Sequence, residues 1–409
     1  TVNISGASGA MTNTFTGDSD STINVANGST VGLSSEQIAG YRGEFSVADT
    51  STLDLTLAGG EETDAVFGNL VTVKDYAKLS VSTDNGGGFV FGNLASAIEG
   101  TLEIENAKFE IPVPVAQGDT RVSVLKGADL VLGSGAEVFV SHAVGTDQIT
   151  NLTLNNGSTL TFEGGATPGV TGDDSQKGHI NLESGTVEVN GDVTVRVDVG
   201  DYVNADMVGD AQESVTNLPL TATDIVGDTS DRILANLVSG TYVEGSEEDR
   251  LTLDVIKGEN VDYVDGELRV GIYNNAGDTD VVATGTYDYT LSTNSGGINL
   301  AYGLTAVDIH ELKTLELKGY EGVDNELAVS VTGKGGLAVT DGTIRLTGKN
   351  AYEGETTIGA GAELITSSNG SSLGSTSMLR VSSTGEGDNI TGSTANIRGT
   401  ETVGGLLVN

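Results

Sequence analysis

The 409-residue chain contains no cysteine and no tryptophan. Without cysteine it has neither a disulfide framework nor a thiolate metal site. The same absence suits a chain that crosses an oxidising compartment and then threads a narrow pore unfolded, where disulfide loops would block passage. Cations are scarce as well: 19 Lys plus Arg stand against 58 Asp plus Glu, a formal net charge of −39. Nucleic-acid binding needs clustered cations to release phosphate counterions, and no basic block occurs, so that class is excluded. An anionic bilayer would repel the chain for the same reason. Long hydrophobic runs are missing too, since no stretch approaches the roughly 18 apolar residues that span a bilayer. The opening TVNISGASG lacks the charged and apolar regions of a leader, so an exported chain is expected here in its mature form.

What is present is β-structure. Hydrophobic residues make up 37% of the chain, enough for a core, and 59 residues are glycine. Runs such as STINVANGSTVGL (21–33), GEFSVADTSTLDLTL (43–57), GTLEIENAKFEI (100–111) and HINLESGTVEVNGDVTVRVD (179–198) alternate apolar with polar residues at period two, and NG, SG or KG pairs break them. The phrase VFGNL at 66–70 recurs at 90–94, an offset of 24 residues. A period in the low twenties with three short strands per period is what one coil of a parallel β-helix requires. Inward residues then stack on their equivalents one coil away, each buried Val, Leu or Ile contributing about 1.5–3 kcal/mol before entropy. Coils spaced like neighbouring strands would give roughly 15 turns spanning on the order of 70 Å. The fold expected is all-β, one parallel β-helix over 1–409. Asn69 and Asn93, at the same place in the two VFGNL copies, are expected to stack as a structural ladder.

Between 198 and 290 the rhythm weakens, with 20 acidic residues against 4 basic. Longer loops are expected there, with a short helix over 229–238, where Ile233, Leu234, Leu237 and Val238 share one face and Asp228 or Ser230 caps it. The pattern recovers from 274, and the strand-like TANIRGTETVGGLLVN at the end is expected to continue in the native protein.

The segment VTGKGGLAVTDGTIRLTGKNAYEGETTIGAGAELITSSNGSSLGS (331–375) resembles the passenger-associated transport repeat of AIDA-type, pertactin-like autotransporters. The repeat's G-x-G-G-L, T-L-x-L-x-G, N-x-Y-x-G-x-T-x-I and G-x-L elements correspond to Gly333–Leu337, Thr343–Gly348 (with Ile344 for leucine), Asn350–Ile358 and Gly361–Leu364. The preceding GINLAYGLTAVDIHELKTLEL (297–317) is similar to the family's lead-in. This resemblance implies a right-handed, three-stranded β-helix, exported through the outer membrane and displayed at the bacterial cell surface by a C-terminal barrel outside this chain. The repeat would lie near the end that the family exports and folds first.

Chemistry is sparse by comparison. Gly17-Asp18-Ser19 matches part of a serine-protease nucleophile motif, but Asp20 replaces its glycine, and His142, His179 and His310 all lie downstream. Gly178-His179-Ile180 is a fragment of the pectin-degrading pattern, with no Arg-x-Lys. Asp173 and Asp174, in a Gly-rich loop from Glu163 to Lys177, are the acid pair best placed for glycosidic chemistry. That loop, with Glu163, Asp173, Asp174 and Lys177, is also the candidate ligand rim. Asp198, Asp201, Asp206 and Asp210 could gather one cation, but no calcium nonapeptide or EF-hand recurs, so no metal or cofactor is expected. Arg42-Gly43-Glu44 stands where an integrin motif would need Asp.

The expected function is therefore non-enzymatic: a surface adhesin binding host extracellular matrix, either protein such as fibronectin or glycan such as a glycosaminoglycan, and promoting colonisation and biofilm. Self-association causing bacterial aggregation is the alternative, and a polysaccharide hydrolase or lyase the third. The net charge fits sulfated glycans badly, so binding one would need directional hydrogen bonds from a local groove.

Overall fold

The computed structural model describes residues 1–59, 64–117, 120–163, 177–203, 205–216, 220–226, 232–245, 250–256, 266–320, 325–367, 372–374, 378–383, 391–398, 401 and 403–408. They are predominantly strand, paired mostly in parallel. The residues group into two compact units. One comprises 1–202, 235–259 and 293–299, and the other 203–234, 260–292 and 300–409.

In the first unit the early strands pair with the third strand following. Val2–Ser5 lies beside Thr22–Ala26 and that beside Glu44–Val47, while Ser8–Ala10, Thr30–Ser34 and Thr52–Leu57 form a second ladder. The cause is the period-two pattern, which gives every strand one apolar face. In register, Val31, Leu53, Leu79, Leu102, Leu130, Leu152 and Val187 form one buried column. Leu33, Leu55, Val81, Ile104, Leu132, Leu154 and Val189 form another. A third ladder aligns Phe89, Phe109, Val138, Leu160 and Val195. The VFGNL copies meet in register, Phe67 opposite Phe91. One hairpin, Val115–Gln117 with Thr120–Val122, is antiparallel.

The expected helix over 229–238 is not formed: residues 229–231 lie outside the described set, and Arg232–Glu244 is a strand. Its Val238 and Thr241–Val243 pair in parallel with the His179–Asn190 strand, and Leu237 and Val238 are buried. Ladder hydrogen bonds and burial outweigh a four-residue apolar match to the helical period. Between 198 and 290 the described residues include strands Arg250–Ile256, Leu268–Tyr273 and Ala283–Asn294, and 204, 217–219, 227–231, 246–249 and 257–265, on which part of the loop expectation falls, lie outside the described set.

In the second unit the helix Ala205–Thr216 buries Val208, Ala211 and Val215, spaced to share a face. The last two belong to a core with Ile272, Tyr287, Tyr302, Leu315 and Leu337. Further on, Thr314–Lys318, Gly336–Asp341, Thr356–Ile358, Met378–Val381 and Gly405–Val408 stack in parallel in one sheet. Glu326–Leu327, Thr343–Leu346, Glu363–Thr366 and Thr394–Asn396 form the other. Tyr352 is fully buried, its hydroxyl 2.6 Å from Thr356 Oγ1, and burial pushes its pKa up to about 12.

Candidate functional site

The rim expected around 163–177 has a fixed neck. Glu163 ends the Thr159–Phe162 strand; its N–H donates to Val140 O and its carbonyl accepts from Gly178 N, each at 3.0 Å. The Tyr202 hydroxyl donates to Gly178 O, and Lys177 Nζ stands 5.8 Å from the Tyr202 ring centroid, at cation–π range. Position 178 must be glycine, because a Cβ there would lie 1.9 Å from Val140 O. Asp173 and Asp174 lie outside the described residues, so of the four rim residues the structure brings only Glu163 and Lys177 to a common neck.

The other candidates resolve into local structure. Asp18 accepts from Asp20 N at 3.2 Å and Ser21 Oγ at 2.9 Å, which makes the Ser19 stretch a turn. Gly43 is enclosed by Ser21 O and the Tyr41 ring, and Glu44 accepts from Thr72 Oγ1 at 2.9 Å, so Arg42-Gly43-Glu44 enters a sheet and does not form a presented loop. His179 Nδ1 lies 3.0 Å from Lys177 O, and His310 Nε2 lies 2.8 Å from Thr284 Oγ1. Asp198 accepts from Gly200 N at 3.1 Å, while Asp206 and Asp210 are exposed on the Ala205–Thr216 helix. Asp201 lies in the Val199–Tyr202 helix, its side chain outside the described set. Among the described residues no three His, Asp or Glu side chains converge as metal ligands.

The asparagines of the two VFGNL copies stand in corresponding places, but their amides turn to backbone. Asn69 Nδ2 donates to Tyr41 O and Gly43 O, both at 3.0 Å, and Asn93 Oδ1 accepts from Ala95 N at 3.1 Å. The second is an Asx-turn, available because the residue sits past the strand end. Amide-to-amide bonds form across neighbouring strands instead, Asn24 to Asn3 at 2.7 Å and Asn190 to Asn155 at 3.3 Å.

What the folding assembles is an outward polar face. Thr30, Thr52, Lys78, Thr101, Asp129 and Asn151 align across six strands of the first unit. Neighbours along it are bonded: Asn151 Nδ2 donates to Asp129 at 2.8 Å, Thr186 N donates to Asn151 Oδ1 at 2.9 Å, and Lys78 pairs with Glu103. Burial raises the Asp54 pKa in this face, opposed by Lys78 and reinforced by Glu103. A second charged row runs Lys108–Glu137–Arg196–Asp254, with Arg196 bonded to Asp254 at 2.7 Å and to Glu137. The bond to Asp254 and the charge of Glu137 hold the Arg196 pKa above its ordinary value. Such rows offer directional donors and acceptors at strand spacing.

The second unit has a cleft of about 460 Å³ at the corners following Ile309, Gly333 and Tyr352. Leu312, Lys334, Gly335, Glu353, Gly354 and Glu355 are among its walls. In the sequence GKGGL and EGET stand out only as parts of the repeat-like segment 331–375. Their juxtaposition across successive strands depends on a register that sequence spacing alone does not supply. No family model, curated protein or solved structure matches this chain.

Proposed function

We propose that the chain is a right-handed, three-stranded parallel β-helix, exported as the passenger of an AIDA-type autotransporter, and that it acts at the bacterial surface as an adhesin for host extracellular matrix. The observation that chiefly supports this reading is the repeated parallel register of the first unit. Apolar columns such as Val31–Val187 turn inward, while a row of Thr, Lys, Asp and Asn turns outward at constant spacing. That arrangement spends its sequence on an extended, hydrogen-bonding surface, which suits adhesion to a long ligand better than chemistry at a point. The strands within 331–367, which include most of the segment resembling the transport repeat, stack in parallel in the same manner.

The test is binding of the purified chain to an array of matrix proteins and glycans at two salt concentrations. Salt-tolerant binding to particular ligands is expected, because contacts on so acidic a chain must be directional and not a matter of net charge. Binding to no ligand on the array would overturn the adhesin reading. The outward rows also favour side-by-side self-association as a second reading; concentration-dependent dimers, weakened by Thr101→Lys, are its expected signature, and a monomer at high concentration excludes it.

A further inference from the structure

The cleft beside Leu312 joins two observations that the fold itself does not require together. The first is the corner His310–Lys313, closed by Lys313 N donating to His310 O at 3.1 Å with Leu312 at φ +64°. The same closure occurs at Gly133–Ala136, Asn155–Ser158 and Gly359–Ala362, where the left-handed position is Gly135, Gly157 and Gly361, and at Ala48–Ser51 and Lys74–Ala77, where it is Thr50 and Tyr76. Glycine adopts that conformation freely and leucine does not. Leu312 is nevertheless 95% exposed, so its side chain returns no burial for the strain. Strain of this kind points to a ligand contact where a concavity adjoins it.

The second is the concavity that Leu312 borders. Gly335 and Gly354 line it, both required by close packing because a Cβ would meet neighbouring backbone at 2.4 Å, and Lys334, Glu353 and Glu355 stand around it. Its volume, about 460 Å³, falls within the roughly 300–1,000 Å³ usual for small-ligand clefts. Backbone donors on the floor are already used: Gly335 N bonds Ile309 O, Gly336 N bonds Lys313 O and Gly354 N bonds Gly335 O. An extended peptide therefore finds no free strand edge here, and recognition falls to side chains. Lys334 is held only loosely, 3.9 Å from Glu311, with both side chains mostly exposed. It can turn its donors to a ligand hydroxyl at little cost.

We propose that this cleft binds a neutral oligosaccharide, with Leu312 packing on the apolar face of a sugar ring and Lys334, Glu353 and Glu355 bonding its hydroxyls. The chemistry favours a neutral sugar: the lining carries Glu311, Glu353 and Glu355 against Lys313 and Lys334, with Glu355 paired to Arg380 and Lys313 to Asp280, a balance that disfavours a sulfated chain. The proposal rests on the adhesin reading and names where one of its ligands sits.

The experiment presents wild type, Leu312→Gly, Lys334→Ala and Tyr76→Gly to an array of neutral and sulfated oligosaccharides, then titrates the strongest neutral binder, with circular dichroism confirming each fold. Tyr76 is the control, a comparably exposed side chain at φ +67° in the same kind of corner but in the other unit. Leu312→Gly and Lys334→Ala should each weaken binding about tenfold, and Tyr76→Gly should leave it unchanged. Glycan binding that survives Leu312→Gly and Lys334→Ala overturns the cleft and leaves the adhesin reading standing. Binding to sulfated chains alone, or to no glycan, also overturns the cleft; in the last case the matrix-protein array decides the adhesin reading by itself.

Discussion

Removing the ring of Phe89 should be among the most costly single changes in the first unit. Phe89 is 1% exposed, stacks on Phe109 at 4.9 Å with the planes 15° apart, and meets Phe91 edge-on at 5.7 Å. Phe109 and Phe91 also touch at 5.9 Å, so the three rings form one closed cluster across two neighbouring strands. Truncation to alanine loses transfer energy and leaves a cavity, together about 3–5 kcal/mol. Aromatic geometry adds about 0.5–1.5 kcal/mol per pair beyond area, so Phe89→Ala is expected near the upper end of that range. Phe89→Leu keeps most of the volume and should cost about 1–2 kcal/mol. The assay is urea unfolding followed by circular dichroism, since the chain has no tryptophan to report. Amide exchange over residues 88–110 shows whether the loss is local, because two compact units need not unfold together. A cost below about 1 kcal/mol for Phe89→Ala, with exchange unchanged, would refute the packing argument.

Further expectations concern the second unit, a corner and an exposed ion pair. Burial pushes the Tyr352 and Tyr302 hydroxyls up to about 12 from an ordinary 10.0, so the folded state favours their neutral form. The stability this carries is complete below pH 10 and is lost as pH rises through 12, which tyrosinate absorbance during alkaline unfolding will show as a late, cooperative step; titration of all tyrosines near pH 10 would contradict it. Gly178→Ala, which forces a Cβ against Val140 O, should destabilise by about 2 kcal/mol or more and expose the 140–163 strands to exchange. Arg196→Ala should cost only about 1 kcal/mol or less, since the pairs it leaves are partly exposed and screened, and the loss should shrink in high salt.

Much of the β-architecture is legible in the sequence because its signals are local. Alternation at period two marks the strands, and the repeated VFGNL marks a register that the structure realises at Phe67 and Phe91. The region after 198 is harder for physical reasons. In-register steps from Val31 to Leu152 are 22–28 residues, but the step from Leu152 to Val187 is 35, so a fixed period has lost count before that region begins. The helix Ala205–Thr216 is disguised by Gly209 and four acidic or amide side chains, and its three buried residues acquire meaning only against the core they meet. The apolar quartet 233–238 fits a helix locally, yet a neighbouring strand claims it. Candidate site residues were the least legible. Asn69 and Asn93 share a position but not hydrogen-bond partners, and the cleft at Leu312 is built by corners far apart in sequence.

The claim on which the account turns is that successive strands stack in parallel and in register, and the absence of native cysteine allows a direct measurement. Ser46 and Thr72 are register partners on adjacent strands, both half-buried on the outward side. A chain carrying Ser46→Cys and Thr72→Cys is to be oxidised beside one carrying Ser46→Cys and Ala97→Cys, in which the second site lies one strand further away. Cα separations that permit a disulfide are about 4.4–6.8 Å, a window that adjacent parallel strands meet and a two-strand step does not. Rapid, near-complete bonding of the 46–72 pair is expected, and none of the 46–97 pair. A 46–72 pair that stays reduced while the 46–97 pair closes would contradict it.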